Sequence, residues 1–446
     1  MKRIVVLLLA LMLTTASLAA CQKEEQTASP DTTVQATQAA TTAAAQSKAT
    51  EAQTGNNNTS TTKLTQGAEV VTTANVTSDG AINATDLFSD RDLKQTADLS
   101  EAVYYDLSDN NNITITSEGV YVISGSANNA SVIVEAGDND KVQLVLNGVT
   151  ITNDSAPAIY VKNADKVFVT TVENTTSALT VSGTFTADGD TNTDAVIFSK
   201  DDLILNGLGT LNISSSDNGI SGKDDVKITG GTIGITSISD AIEANESIAV
   251  ADGTITIKSN KDGLHAENDE DNTTGYIYIC GGTFDITTAS DSIQATTVCQ
   301  IDGGNITASG SEGIEATYVQ INGGAITINA SDDGINGSNK SSAYSVTVEI
   351  NGGDLTVNMG QGDTDGIDSN GNLYINGGTI NVNANSPFDY DGEGKLSGGT
   401  VYVNGTQTTE LTNQMMGGGM GGQMPGGNMG GQMPGGNMGG RGGFAQ

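Results

Sequence analysis

Basic side chains are scarce in this sequence, which has 18 Lys and Arg against 53 Asp and Glu, one His and no Trp in 446 residues. The formal net charge of −35 excludes a surface that binds nucleic acid or anionic lipid, because like charges repel. It favours cations, neutral partners, or anionic partners held through a bridging metal. Helical periodicity is nearly absent, which excludes a helical domain.

Long hydrophobic runs are also missing, since a membrane-spanning helix takes about 20 apolar residues. The run at 4–13 is shorter, follows Lys2 and Arg3, and is succeeded by small residues, as in a secretory signal peptide. The segment Leu18-Ala-Ala-Cys21 resembles the lipobox of bacterial lipoproteins. That resemblance implies cleavage before Cys21, lipidation of its sulfur, and an extracytoplasmic protein anchored to the cell membrane at the cell surface.

Composition divides the chain into four parts. Residues 1–20 are the signal peptide, and residues 21–66 are a Thr/Ala/Gln/Ser tether with almost no large apolar side chain, which predicts disorder. Residues 67–412 form the folded domain. Residues 413–446 are a Gly/Met-rich tail with a duplicated nine-residue segment, which we interpret as disordered rather than as a soft-metal arm.

The folded domain is a series of repeats of the form Ile-x-Gly-Gly-x-Ile-x-Ile. Apolar residues alternate on both sides of each glycine pair and predict two half-buried strands, and the glycines supply the corner between them. The glycines that close these corners are Gly231, Gly253, Gly282, Gly304, Gly324, Gly353, Gly378 and Gly399. A single coil cannot bury its own apolar face, so the repeats predict an all-β, right-handed, single-stranded parallel β-helix of about 12 coils, roughly 55–60 Å long.

A second motif lies between successive glycine corners: an acidic residue, a small one, an aliphatic one and a polar one. In a coil-stacked fold equivalent positions align, so the motif predicts two vertical columns of carboxylates. The first contains Asp240, Asp262, Asp291, Glu312, Asp333 and Asp365, and the second contains Glu243, Glu315 and Asp368, with His265, Gln294 and Asn336 between them. Stacked carboxylates repel, and hard oxygen ligands suit Ca²⁺, so we predict calcium at all nine acids. The alternative is a solvated acidic edge that discourages aggregation.

Other side chains give weaker signals. Two coils are lengthened at 268–275 and 337–344, beside the acidic motif, where insertions often build a working face. Strand parity points Tyr276, Tyr278, Tyr318 and Tyr374 outward on one sheet, where they are candidate sugar-stacking residues or ordinary strand tyrosines. The same parity places Cys280 and Cys299 on opposite faces, which argues against a disulfide between them.

A family resemblance rests on an ordered series of motifs. They are Phe88-Ser-Asp-Arg-Asp-Leu93, Gly119-Val-Tyr-Val-Ile-Ser-Gly125, Leu144-Val-Leu-Asn-Gly-Val-Thr-Ile151, Ala158-Ile-Tyr-Val-Lys-Asn-Ala-Asp-Lys166 and Ile197-Phe-Ser-Lys-Asp-Asp-Leu203, followed by the Asp-Gly-Ile and Gly-Gly copies. Over residues 85–405 the chain resembles the bacterial carbohydrate-binding domain-containing lipoproteins. The resemblance implies a polysaccharide-lyase-like β-helix, calcium in the acidic coils, and binding of cellulose-like or pectin-like glycans.

Three functions remain open at this point. The first is a non-catalytic surface protein that binds polysaccharide, with no catalytic residue. The second is a calcium-dependent lyase on uronate polymers, which needs a base to take the proton next to the carboxylate. The base would be Lys261, or else Lys200 or Lys223, and the scarcity of Arg argues against this reading. The third is a structural or adhesive surface rod.

Overall fold

The computed structural model describes residues 81–268, 270–360 and 364–413, and its regular elements in these ranges are all β-strands. The strands form one sheet of 12 and one of 24, and their pairing is parallel except for the terminal pair. Within the same ranges no helix is long and apolar enough to cross a membrane. The parallel solenoid expected from the repeats is therefore present. The predicted signal peptide, Cys21, the tether, residues 67–80 of the predicted domain and the Gly/Met-rich tail beyond residue 413 lie outside the described residues.

Three vertical series of strands build the solenoid. The 12-stranded sheet, here called sheet 1, contains β2 (Ile113–Ile115), β4 (Val132–Glu135), β6 (Ile159–Asn163), β9 (Ala195–Ser199), β12 (Asn218–Gly222), β15 (Ile242–Ala244), β18 (Leu264–Ala266), β21 (Ile293–Ala295), β24 (Ile314–Ala316), β27 (Asp333–Gly337), β30 (Asp365–Ser369) and β33 (Ser386–Tyr390).

The 24-stranded sheet contains two further series. Stack 2 consists of β1 (Val103–Asp106), β3 (Gly119–Asn128), β5 (Lys141–Asn153), β7 (Lys166–Thr171), β10 (Asp202–Gly207), β13 (Asp225–Ile228), β16 (Ser247–Val250), β19 (Tyr276–Ile279), β22 (Val298–Ile301), β25 (Tyr318–Ile321), β28 (Thr347–Ile350), β31 (Asn372–Ile375) and β34 (Gly394–Leu396). Stack 3 consists of β8 (Thr176–Val181), β11 (Thr210–Ser215), β14 (Thr232–Ser237), β17 (Thr254–Ser259), β20 (Thr283–Thr287), β23 (Asn305–Gly310), β26 (Ala325–Ala330), β29 (Asp354–Met359), β32 (Thr379–Asn383), β35 (Thr400–Val403) and β36 (Thr406–Thr408). The long strands β3 and β5 run through both stacks.

One apolar core runs inside the coils. A typical coil contributes one strand to each series, as β12, β13 and β14 do in turn, and each strand points alternate side chains inward. In sheet 1, Ile220, Ile242 and Leu264 stack directly on one another and are fully buried. Each such side chain stabilises the fold by about 1.5–3 kcal/mol, and it does so only when neighbouring coils cover it.

The predicted glycine corners connect stack 2 to stack 3. All eight closing glycines have positive φ, between 79° and 134°. Gly353 shows why glycine is needed there: its φ is 85°, and an added Cβ would lie 2.8 Å from the carbonyl oxygen of Gly324 one coil away. The corner prediction is confirmed.

An N-terminal segment, here called the strap (residues 81–95), crosses the outer face of stack 2. The backbone N–H of Ala81 donates to Oε1 of Gln320 at 2.8 Å, and that of Ile82 donates to Oε1 of Gln300 at 2.7 Å. Because these glutamines lie in register on adjacent strands, the strap runs along the solenoid rather than around it.

The other half of the strap reaches much earlier coils. The buried ammonium of Lys227 donates to the carbonyl of Leu87 at 3.0 Å, and Nδ2 of Asn206 donates to the carbonyl of Asp92 at 3.3 Å. The guanidinium of Arg91 lies 4.5 Å from the ring centre of Phe168. The strap therefore links coils that do not contact one another, which ordinary solenoid stacking cannot do.

The two cysteines of the domain face opposite sides of stack 2, as predicted. Cys299 is a free thiol in the main core, whereas Cys280 packs in a separate outer cluster with Tyr278 beneath the strap. Burial raises the pKa of the Cys299 thiol to about 12, so this sulfur is a packing group rather than a nucleophile.

Candidate functional site

The first acidic column lies where the chain enters sheet 1, and it has a backbone role that the sequence did not reveal. Oδ1 of Asp240 accepts the backbone N–H of Asp262 at 2.9 Å, and Oδ1 of Asp262 accepts that of Asp291 at 2.9 Å. Asn218 does the same for Asp240 through its amide oxygen, which explains the neutral residue at the start of the column. One oxygen of each such side chain is structural, and the second is left for other partners.

The second acidic column follows three residues later along the chain in each copy. Its register is confirmed pair by pair: Glu243 with His265, His265 with Gln294, Gln294 with Glu315, Glu315 with Asn336, Asn336 with Asp368, and Asp368 with Asp389. Asp333 likewise pairs with Asp365 in the first column. The structure therefore brings together the nine predicted metal residues along one sheet.

His265 lies near the upstream end of the columns, among three acids. Its Nδ1 lies 3.4 Å from Oδ2 of Asp240 and 3.7 Å from Oδ2 of Asp262, and its Nε2 lies 2.9 Å from Oε2 of Glu267. Burial opposes protonation, but the hydrogen bond and charge of Asp240, together with the other two carboxylates, outweigh it and raise the pKa of His265 to about 9. The ring is therefore a cation at neutral pH and holds the group together as an ion pair.

A second group, formed by Asp291, Glu312 and Glu315, has carboxylate oxygens within 4.8 Å of one another. Burial and the charge of Glu315 raise the pKa of Glu312 to about 8, and burial and the charge of Asp262 raise that of Asp291 to about 7. Like charges this close in a half-buried site need a proton or a cation between them.

Asn336 lies beside that group. Its Nδ2 donates to Oε2 of Glu312 at 3.1 Å, while its buried Oδ1 has no hydrogen-bond partner. The side chain is only 9% exposed, so an oxygen without a partner is costly. Three carboxylates held this close together fit Ca²⁺, which binds such oxygens in flexible geometry.

Lys340, in the second insertion, is a partner that the sequence analysis missed. Its Nζ lies 2.8 Å from Oε2 of Glu315. With the Gln294 amide oriented to satisfy both of its ends, Nζ also donates to the Gln294 oxygen at 3.2 Å, while the Gln294 nitrogen donates to Asp291 at 3.0 Å. The insertion therefore places one fixed cation at the rim of the three-carboxylate group.

The downstream end of the columns also brings several carboxylates close together. Burial, with the charges of Asp333, Asp389 and Asp365, raises the pKa of Asp368 to about 7. The buried hydroxyl oxygens of Thr364 and Ser386, close to this group in sequence or register, also lack hydrogen-bond partners. This end has the same oxygen-rich character as the group around Glu312.

A cleft of about 730 Å³ opens over the upstream end of the columns. Its lining includes Lys223, Lys261, His265 and Asp240, so it gathers two of the candidate lyase lysines. Nζ of Lys261 lies 3.8 Å from Oδ2 of Asp240, and its side chain is 63% exposed. Lys200, the third candidate, is not among the residues that line this cleft.

The tyrosine prediction needs correction. The four tyrosines do face away from the main core, and Tyr278 and Tyr374 share one column of stack 2. However, Tyr278 is 3% exposed and Tyr318 is 2% exposed, because they pack in the cluster that the strap covers. The prediction of an exposed aromatic stripe is therefore wrong for these two.

The remaining tyrosines are less covered. Tyr276 is half-buried beside the same cluster, and Tyr374 is half-buried beyond the strap, with its hydroxyl 3.4 Å from Glu393. Four tyrosines that were expected to act as one platform thus occupy three different environments.

A third acidic group, which the sequence analysis did not single out, lies on stack 2. Carboxylate oxygens of Asp202, Asp224 and Asp225 come within 4.8 Å of one another. Lys166 lies 3.3 Å from Asp202, and Lys227 lies 3.5 Å from Asp225, so ammonium groups already balance this cluster. The consecutive acids at 201–202 and 224–225 were the available signal.

Comparison with known proteins assigns the chain to a family. Residues 109–364 and 306–416 match the model of the carbohydrate-binding domain-containing protein family. A carbohydrate-binding domain-containing protein of Acetivibrio thermocellus is 42% identical over 200 residues, which are 44% of this chain and 70% of that protein. A solved structure of the polysaccharide lyase-like protein from C. thermocellum, a gadolinium derivative, is 28% identical, with a TM-score of 0.42 over 51% of this chain and 93% of that one. This chain therefore belongs to the carbohydrate-binding domain-containing protein family.

Proposed function

We propose that this protein is a non-catalytic polysaccharide-binding lipoprotein of the cell surface whose acidic columns hold calcium. The calcium would stabilise a right-handed, single-stranded β-helix with one coil for each of the 12 strands of sheet 1. Cys21 would carry the lipid that anchors the protein to the membrane, and the glycan would be cellulose-like or pectin-like. Membership of a carbohydrate-binding family supports the choice of partner.

One observation carries the calcium proposal: three carboxylates of a half-buried group have oxygens within 4.8 Å of one another, beside a buried amide oxygen that has no hydrogen-bond partner. Asp291, Glu312 and Glu315 present carboxylates, and Oδ1 of Asn336 lacks a partner close beside them. A solvated acidic edge would leave such oxygens to water, whereas Asn336 is only 9% exposed. Calcium would add to the single ammonium of Lys340 the positive charge that three carboxylates need.

The runner-up is a lyase acting on uronate polymers, which the upstream cleft favours. Lys223 and Lys261 line that cleft beside the columns. For a bound uronate, one lysine could pair with the carboxylate as a cation and the other, when neutral, could act as the base. Against it, His265 is protonated at neutral pH and cannot take a proton. Lys261, for its part, is largely solvent-exposed, and among the described residues its one ion pair is with Asp240.

The experiment that tests the proposal measures retention of the full-length protein on cellulose and on polygalacturonate, in calcium and in chelator. Ultraviolet absorbance of unsaturated uronide products would be followed in the same samples. Retention that weakens in chelator, without absorbance, is the expected result. Rising absorbance would replace the proposal with the lyase, and no retention on either glycan would leave the adhesive rod.

A further inference from the structure

A shallow groove lies along stack 3, on a different series of strands from the acidic columns. It has a volume of about 460 Å³ and crosses four successive strands, β20, β23, β26 and β29. At the usual strand spacing these four strands cover roughly 14 Å along the solenoid. The groove therefore runs parallel to the stacking direction, which suits a linear ligand rather than a compact one.

A ladder of polar side chains forms one wall of the groove. Thr287, Ser309, Asn329 and Asn358 share one register column. Nδ2 of Asn358 donates to Oδ1 of Asn329 at 3.1 Å, and Nδ2 of Asn329 donates to Oγ of Ser309 at 3.3 Å. Each amide uses one N–H for this ladder, so the second N–H is left for a ligand hydroxyl.

The rest of the lining consists of small residues and of residues that face the core. Gly310, Ala330, Met359 and Gly360 contribute to it, with Ala330 buried and Met359 packed against the main core. Gly310 cannot be larger, since an added Cβ would lie 2.4 Å from Oγ1 of Thr288. At Gly360 an added Cβ would find its nearest atoms at 3.6 Å, so a side chain there meets no obstruction and would enter the groove.

The charge of the groove sets it apart from the rest of the molecule. None of the residues that line it carries an ionisable side chain, although the whole chain has a formal charge of −35. An anionic polymer would gain no attraction here and would be repelled by the surrounding acids. A neutral sugar chain suits this lining, because amides and hydroxyls pair with its hydroxyl groups and the glycines leave room for its rings.

We propose that this groove binds one extended chain of a neutral pyranose polymer, lying parallel to the stacking direction of the coils. Asn329 and Asn358 would donate hydrogen bonds to the sugar hydroxyls. This inference rests on the proposed polysaccharide binding and narrows it to one surface and one substrate class. The acidic columns then stabilise the protein rather than contact the glycan.

The test is retention of full-length Gly360→Trp on cellulose and on polygalacturonate in calcium, beside Leu208→Trp. Leu208 is a corner residue after β10 with 51% exposure, so the control adds the same ring far from the groove. Gly360→Trp should weaken cellulose binding at least tenfold by filling the groove, while Leu208→Trp binds as the unaltered protein does. Asn358→Ala should weaken cellulose binding by up to about tenfold, through loss of one or two hydrogen bonds.

The outcomes separate the two proposals. If the unaltered protein is retained on neither glycan, the proposed function fails. If it is retained on cellulose and Gly360→Trp is retained equally, the groove assignment is overturned while the proposed function stands. Retention on polygalacturonate alone also overturns the assignment, because it requires a surface that attracts anions. Equal melting temperatures of the variants exclude misfolding as the cause of any loss.

Discussion

Leu87 anchors the strap, and replacing it with Ala should release the strap without unfolding the coils. Leu87 is 2% exposed and packs in the outer cluster with Tyr278 and Tyr318. Truncation of a buried leucine to alanine lowers the unfolding free energy by about 2–4 kcal/mol, depending on how far the surrounding residues collapse into the cavity. The core of the coils loses no contact, since Leu87 does not belong to the main cluster.

This loss of stability should appear as more frequent local opening of the strap. Because every 1.4 kcal/mol is a factor of ten, the amides of the strap should exchange with deuterium at least about 30-fold faster in Leu87→Ala. The backbone N–H groups of Ala81 and Ile82, held by glutamine side chains, report this directly. Amides of inner strands such as β13 and β16 should keep their protection.

Leu99→Ala is the matched control. Leu99 is 44% exposed, so the same truncation there should change stability by less than about 0.5 kcal/mol and leave exchange of the strap unaltered. The reasoning is refuted if Leu87→Ala and Leu99→Ala give the same exchange rates in the strap. It is also refuted if strap and inner strands accelerate equally, because the strap would then unfold only with the whole solenoid.

Three further predictions concern the columns and the corners. Glu312→Gln should remove most of the calcium-dependent rise in melting temperature. Asp332→Asn, which removes the same charge at an exposed neighbouring position, should preserve that rise. Equal loss in both variants would mean that calcium responds to the overall negative charge and not to a specific site. In chelator, the unfolding free energy measured by urea titration should fall as pH rises toward 8. The reason is that folded Glu312 keeps its proton up to a pKa of about 8, whereas an unfolded Glu releases it near 4.3. A free energy that rises over this range would contradict the raised pKa. Gly353→Ala should lower unfolding free energy by more than about 1 kcal/mol through strain at positive φ, whereas Gly360→Ala should be neutral, and equal melting temperatures would reject the corner argument.

The parts of the fold that repeat were predictable from the sequence. Alternation of apolar residues around Gly-Gly fixes which side chains point inward, and coil stacking then fixes which acids align, as Glu243 and His265 do. The positive φ at Gly353 follows from the same pattern, because the corner recurs eight times with the same glycine. Repetition gives each weak local signal several independent occurrences.

The contacts that occur once were not predictable. Ala81 and Gln320 are 239 residues apart and contact each other through a single hydrogen bond, so no repeat in the sequence predicts the strap. Without the strap, the parity argument leaves Tyr278 exposed, which is why the aromatic stripe was misjudged. Lys340 likewise reaches Glu315 from an insertion whose path the repeats do not determine.

The measurement that bears most directly on the central claim, that the acidic columns are a calcium site, is the melting temperature of the full-length protein as calcium is added after chelation. Calcium at about 100 times its dissociation constant would stabilise the fold by about 2.7 kcal/mol per site, which corresponds to a rise of at least a few degrees. Magnesium should do much less, because it demands near-ideal octahedral geometry. A melting temperature that does not change with calcium would contradict the account and leave the columns as a solvated acidic edge.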